Sequence, residues 1–203
     1  RARDGDCFSG SGCGGDSGSG MAGITVIRMS GGKAGGVLAS VAGPLPLPRR
    51  ASIRQLRHPQ TQEVIDQGLV LWMPGPLSST GEDVAEFHVH GSAAVIEAMF
   101  EVFRSISGVR LAEPGEFTRR AFVNNRMDLV EAEGLADLLQ ARTEAQRRMA
   151  MHHMLGHASS QYEDWRTEMI SLLARLEAAI DFVEEAGVAV AALADIRPKT
   201  LDL

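Results

Sequence analysis

A change of rhythm near residue 128 constrains this chain more than any other feature of its sequence. Before it, apolar residues come in short β-branched runs separated by Gly and Pro. From Asp128 onward they recur at steps of three and four. Alternation with a period of two suits half-buried strands, and the longer step suits helices with one apolar face. A chain carrying both patterns in succession is expected to fold as α+β, with helices following. The expected organisation is a flexible Gly/Ser-rich lead-in over residues 1–22, an α+β domain over 23–125, and the start of a helical domain over 126–203.

Within the first part, Gly23-Ile-Thr-Val-Ile-Arg28 reads as a strand, and residues 33–42 as a short helix. Pro44, Pro46 and Pro48 then impose an extended connection. Residues 51–57 and 63–73 read as strands joined by a turn at His58-Pro59-Gln60, and Pro74-Gly75-Pro76 stops the second. Val84–His90 alternates as a strand. A helix opens at Gly91-Ser92 and carries Val95, Met99, Val102 and Ile106 on one face. Val109–Ala112 is a short strand, and Pro114-Gly115 leads into a helix with Glu116, Arg119 and Arg120. Asp128-Leu-Val-Glu131 and Thr143-Glu-Ala-Gln146 both match a capping box, in which two side chains satisfy free amides at a helix start. After the second box an unbroken seam runs through Met151, Leu155, Ala158, Tyr162, Trp165, Met169, Leu172, Leu176, Ala179 and Val183. One helix ending near Gly187 is expected, with another helix needed to cover the seam.

Hydrophobic residues make up 44% of the chain and charged residues 23%, so global disorder is excluded. The net charge of −6 argues against a surface that grips nucleic acid as a whole; any RNA contact is local or made by other sequence. The cysteines, Cys7 and Cys13, form no disulfide framework and no four-ligand zinc pattern. No apolar run reaches the length of a membrane span, and a cytoplasmic location without membrane contact is expected. Gly18-Ser-Gly-Met-Ala-Gly23 matches G-x-G-x-x-G, but a strand follows it where a nucleotide site needs a helix. Cys13-Gly-Gly-Asp-Ser17-Gly lacks any preceding His for a serine nucleophile. Gly32-Lys33-Ala34 lacks the Ser/Thr and upstream Gly of a phosphate loop. The pairs His88/His90 on a strand and His153/His157 on a helix each offer two metal ligands without a third at motif spacing, so no metal site is assigned.

Several long stretches carry a resemblance: Leu69-Val-Leu-Trp-Met-Pro-Gly-Pro-Leu-Ser-Ser-Thr-Gly-Glu-Asp-Val-Ala-Glu-Phe-His-Val-His-Gly91, Glu113-Pro-Gly-Glu-Phe-Thr-Arg-Arg-Ala-Phe-Val-Asn-Asn-Arg-Met-Asp-Leu129, Glu131-Ala-Glu-Gly-Leu-Ala-Asp-Leu138 and Glu177-Ala-Ala-Ile-Asp-Phe182. From about Gly23 to Phe182 the chain resembles the MnmE/TrmE family of tRNA-modification GTPases. The resemblance implies a mixed-sheet, aminomethyltransferase-like folate-binding domain that forms a homodimer, followed by long antiparallel helices. It implies binding of 5-formyl- or 5,10-methylene-tetrahydrofolate, with GTP and potassium held by a GTPase domain absent from this chain. It further implies tRNA as the substrate of the full complex, modified at carbon 5 of the wobble uridine together with the flavoprotein MnmG.

The family's folate contacts map onto Arg28, Glu86 and Arg126. A carboxylate can accept the paired N–H donors of a pterin edge, and guanidinium groups suit the carboxylates of the glutamate tail. Arg126 stands where the family pattern has Lys, which keeps the charge and changes the geometry. Thr80, Gly81, Glu82, Arg119 and Arg120 lie in the same stretches. Read without the resemblance, Arg28 and Glu86 are better taken as a solvated cross-strand pair, and the resemblance reverses that preference. The family's Asp-Thr-Ile-type first strand has no match in residues 1–22, its Gly-Gly is Gly91-Ser92 here, and its C-terminal Cys-x-Gly-Lys is missing. The change of composition near Gly20 is read as a shifted coding frame. No catalytic residue is assigned within the chain. The alternatives are a non-catalytic dimerisation or interaction fragment with a vestigial folate pocket, and an aminomethyltransferase relative, which the helices after Asp128 disfavour.

Overall fold

A computed structural model describes residues 6–13 and 22–181. The chain divides into two compact units, Arg1–Met127 and Asp128–Leu203. The first is α+β. Its strands are β1 (Asp6–Cys13), β2 (Ala22–Ser30), β3 (Ser52–Arg57), β4 (Val64–Met73), β5 (Val84–Gly91) and β6 (Val109–Leu111). They form one six-stranded sheet in the order β3-β4-β5-β2-β1-β6. The pairings β3–β4, β4–β5, β5–β2 and β2–β1 are antiparallel, and β1–β6 is parallel.

Helices α1 (Ala34–Ala42) and α2 (Ala93–Ser105) cover one face of this sheet. Alternation along the strands builds the core there: Ile27 and Met29 of β2, Val70 and Trp72 of β4, and Phe87 and Val89 of β5 meet Leu38 and Val41 of α1 and Met99, Val102 and Phe103 of α2. The Phe87 and Phe103 rings lie 5.2 Å apart, tilted by 47°. A Cβ on Gly35 would lie 2.8 Å from the Trp72 ring, so glycine there lets α1 sit close to the sheet. The Ser92 hydroxyl caps α2 by accepting from the Val95 amide. Helix α3 (Glu116–Val123) follows β6.

Strand β1 corrects the expectation of a flexible lead-in, for residues 6–13. A segment half of glycine and serine has no apolar period to reveal it, but main-chain pairing does not depend on side-chain pattern. Between β2 and β6 the segment pairs its backbone on both sides. Residues 1–5 and 14–21 of the expected lead-in lie outside the described residues, as do most of the Gly18–Gly23 pattern and the segment from Gly14 to Ser17.

The second unit contains α4 (Leu129–Gln140), α5 (Glu144–Met154) and α6 (His157–Asp181). Both expected capping boxes are present, Asp128 with Glu131 and Thr143 with Gln146. Helices α4 and α5 touch closely at Gly134, where a Cβ would lie 2.7 Å from the Met154 amide nitrogen and 3.1 Å from the Ala150 carbonyl. The single long helix expected after Thr143 is two helices. Gly156 adopts φ +76, and its amide donates to the His153 carbonyl at 3.0 Å, which ends α5 before α6 begins at His157. The apolar steps of four and three ran through this break, and a left-handed glycine leaves no trace in such a pattern. Within α6, Ala158 and Leu172 are buried, while Tyr162, Met169 and Leu173 are each more than half exposed. The expected seam position Val183, the helix end at Gly187 and the tail beyond lie outside the described residues.

Candidate functional site

The sheet face opposite α1 and α2 carries two of the residues that sequence singled out, Arg28 and Glu86. Directly paired residues on neighbouring strands share a face. Ile53, Leu69, His88 and Val26 therefore form one row across β3, β4, β5 and β2, and Leu71, Glu86 and Arg28 form the next. Arg28 and Glu86 are cross-strand partners, and the Arg28 Nε–H donates to Glu86 Oε1 at 2.8 Å. The other oxygen, Oε2, lies 3.3 Å from His88 Nε2. Glu86 is mostly covered and Arg28 is 44% exposed, so the pair is reachable from solvent on the arginine side. The Phe117 ring of α3 lies 5.8 Å from the Arg28 guanidinium carbon, within reach of a cation–π contact.

At the end of the same face, a loop over residues 74–83 packs against α3 and the end of β2. The Ser30 hydroxyl is 2.7 Å from the Thr80 hydroxyl and donates to Glu82 Oε2 at 3.0 Å. Arg120 donates to the same Glu82 oxygen at 2.8 Å and to Glu116 Oε1 at 2.7 and 3.1 Å. Arg110 holds both oxygens of Glu116, at 2.7 and 2.8 Å, and the Glu113 amide donates to it at 2.9 Å. Glu116 is buried. Burial alone would raise its pKa, but hydrogen bonds from Arg110, Arg120 and the Glu113 amide outweigh that and hold it at about 2.

Arg126 lies against this loop. Gly81 has φ +78, and a Cβ on it would lie 2.8 Å from Asn124 Cβ and 3.1 Å from Arg126 Cγ. Asn124 donates to the Thr80 carbonyl at 2.7 Å, and the Arg126 amide donates to the Ala121 carbonyl at 2.8 Å. Among the described residues the Arg126 guanidinium enters no ion pair. Arg28 and Glu86 are thus in direct contact. Arg126 is connected to them through the loop and Ser30, which lies two residues along β2 from Arg28 and on the same face. A cavity of about 480 Å³ opens elsewhere, beside Lys33, Gly36, His58 and Ile106, and none of the three residues lines it.

Sequence reasoning passed over Ser30, His88 as the partner of Glu86, Phe117, and Arg110. The i,i+4 spacing of Glu116 and Arg120 was a legible signal for their pairing. The contact of Arg110 with Glu116, across the β6–α3 turn, had none. The histidine pairs considered for metal have other partners. His90 takes Asp66, through its ring nitrogen at 2.7 Å and its amide at 2.8 Å. His153 and His157 fall on different helices, and it is His152 whose ring lies 4.8 Å from that of His157. Among the described residues no group of three or more His, Cys, Asp or Glu is placed to hold a metal ion. No described helix is long and apolar enough to cross a membrane.

Comparison with known proteins adds a separate finding. The family model described as "GTP-binding protein TrmE N-terminus" matches residues 14–126, and "MnmE helical domain" matches residues 129–202. The chain is 54% identical over 169 residues to the tRNA modification GTPase MnmE of Novosphingobium aromaticivorans, covering 83% of this chain and 39% of that protein. It is 53% identical over 178 residues to the tRNA modification GTPase MnmE of a Methylobacterium species, covering 87% of this chain and 41% of that protein. It is 50% identical over 169 residues to the mitochondrial 5-taurinomethyluridine-[tRNA] synthase subunit GTPB3 of Danio rerio, covering 83% of this chain and 34% of that protein. The chain therefore spans well under half the length of these relatives.

Proposed function

The chain belongs to the MnmE/TrmE family, whose N-terminal model matches more than half of it, and from that membership we propose that it is the folate-binding part of a tRNA-modification GTPase. In this reading the sheet face around Arg28 and Glu86 holds a tetrahydrofolate, either the 5-formyl or the 5,10-methylene form, as the one-carbon carrier for modification of the wobble uridine at carbon 5. When bound, such a carrier supplies a one-carbon unit. The residues of this chain bind and orient it, and none of them is assigned a proton transfer or a nucleophilic role.

The observation that carries the reading is the Arg28–Glu86 pair, open to solvent on the arginine side, beside the Phe117 ring and on the face toward which the loop holding Arg126 is tied. The residues fit the ligand's chemistry. Each carboxylate oxygen can accept more than one hydrogen bond, so Glu86 keeps acceptor capacity for a pterin edge beside Arg28 and His88. Phe117 offers a ring face, and Arg126 a guanidinium that among the described residues has no ion-pair partner, suited to an anionic tail. Ile53, 65% exposed, and Leu69, 39% exposed, lie on the same sheet face and suit a homodimer contact there. GTP, potassium, the flavoprotein MnmG and tRNA would engage the complete protein.

Calorimetric titration with 5-formyltetrahydrofolate tests this. Saturable binding is expected, weakened about tenfold or more by Glu86→Ala, the loss of one charged hydrogen-bonding group. A chain folded by circular dichroism that takes up none of the ligand would overturn it. That result would favour the second reading, a non-catalytic interaction fragment, which the exposed apolar residues of α6 support.

A further inference from the structure

We infer that Arg120 is a positioning residue: it clamps the 74–83 loop to α3 and so sets where Arg126 stands relative to Arg28 and Glu86. This rests on the folate reading above for its functional meaning, and on hydrogen-bond geometry for its structural one.

Arg120 is only 7% exposed. A guanidinium taken out of water needs carboxylates to meet it, or its burial is strongly unfavourable. Among the described residues Arg120 meets Glu116 and Glu82, and they differ in what they are attached to. Glu116 belongs to the same helix and is already held by Arg110 and by the Glu113 amide, so it is a rigid base. Glu82 belongs to the loop and is 32% exposed. Arg120 is therefore the bridge from the Glu116 anchor on α3 to the carboxylate of the loop.

The loop passes that restraint on. Glu82 Oε2 also receives the Ser30 hydroxyl, which pins the loop to β2 at a point two residues from Arg28. Thr80, the other partner of Ser30, offers its carbonyl to Asn124. Between them Gly81 presents bare backbone, and the aliphatic stem of Arg126 lies on it with no room for a Cβ. The loop is the floor beneath Arg126, and the Arg120–Glu82 contact holds the floor in place. The Arg120 Nη1 and Nη2 groups are taken by Glu82 and Glu116.

Double-mutant cycles with 5-formyltetrahydrofolate test the inference. Arg126→Ala is expected to weaken binding about tenfold in the parent chain, and less than about twofold in a Glu82→Gln background, where Arg126 has already lost its support. Glu86→Ala is expected to weaken both backgrounds by the same factor, because the cross-strand pair does not depend on the loop. Glu82→Gln keeps side-chain volume and serves where Arg120→Ala fails to fold. Arg120→Lys, which keeps charge without the fork, is expected to fall between the two. If Glu82→Gln lowers affinity but leaves the Arg126→Ala factor at tenfold, the residue is merely structural and the inference is overturned. Should the parent chain bind no folate, the functional reading fails by itself. Hydrogen exchange then decides the structural claim. Exchange at the Gly81 and Arg126 amides should quicken together in Glu82→Gln, about tenfold, with the β5 amides unchanged. Unchanged exchange at Arg126 would sink it.

Discussion

Replacing Glu116 by Gln should destabilise the sheet unit at neutral pH and, at the same time, blunt its sensitivity to acid. Glu116 is buried, and its pKa is held at about 2 against an ordinary value of 4.5. The folded state therefore binds fewer protons than the unfolded state between those two values. The stabilisation is complete above pH 4.5 and is lost as pH falls toward 2. At 1.36 kcal/mol per unit, the difference corresponds to about 3 kcal/mol, of which about 2 kcal/mol is gone by pH 3. Glutamine keeps the shape but leaves Arg110 and Arg120 facing a neutral group. Breaking such a buried pair from one side costs about 3–5 kcal/mol. Urea unfolding followed by tryptophan fluorescence reads this, in a Trp165→Phe background so that Trp72 alone reports the sheet unit. With a slope of about 2 kcal/mol per molar, the midpoint at pH 7 should fall by about 1.5 M or more in Glu116→Gln. Between pH 7 and pH 3 the parent midpoint should fall by about 1 M more than the variant's. A variant within 0.3 M of the parent at pH 7, or one with the same acid response, would refute the assigned role of Glu116.

Two further outcomes concern the helical unit. Gly134→Ala should destabilise it despite alanine's better helix propensity of about 1 kcal/mol, because the new Cβ would lie 2.7 Å from the Met154 amide nitrogen; a thermal melt by circular dichroism that shifts upward would contradict the close α4–α5 approach. Thr143→Ala removes the hydroxyl that accepts from the Gln146 amide at 3.2 Å, and should lower stability by about 1 kcal/mol, with faster exchange at the first amides of α5.

Much of this fold was legible because side-chain period and turn chemistry agree over most of the chain. The strand ending at Met73, the strand from Val84, the helix capped by Ser92, and both capping boxes follow from residues within a few positions of one another, with β5 running one residue beyond the expected His90. What escaped has identifiable causes. Asp6–Cys13 forms a strand through its backbone, and its Gly/Ser sequence carries no alternation to detect. The break at Gly156 depends on one backbone angle, and the apolar spacing around it continues as if unbroken. At the candidate site, the Arg28–Glu86 contact follows from two strand assignments and the register between them, and the register was not readable from either strand alone. Arg110 reaches Glu116 across the turn after β6, a contact that spacing rules for single elements do not cover. The family resemblance, rather than periodicity, pointed to Arg126.

Strand β1 has a consequence for how sequence variation acts at this end of the molecule. It adds its backbone to β2 along Cys7–Cys13 and to β6 at Asp6–Phe8, using a stretch in which half of the eight residues are glycine or serine. A berth filled in that way requires a backbone that can stretch out and donate amides to β2 along its length and to β6 at Asp6–Phe8. Proline is the substitution this berth should resist, since each proline deletes a donor from a ladder that β2 shares along its whole length.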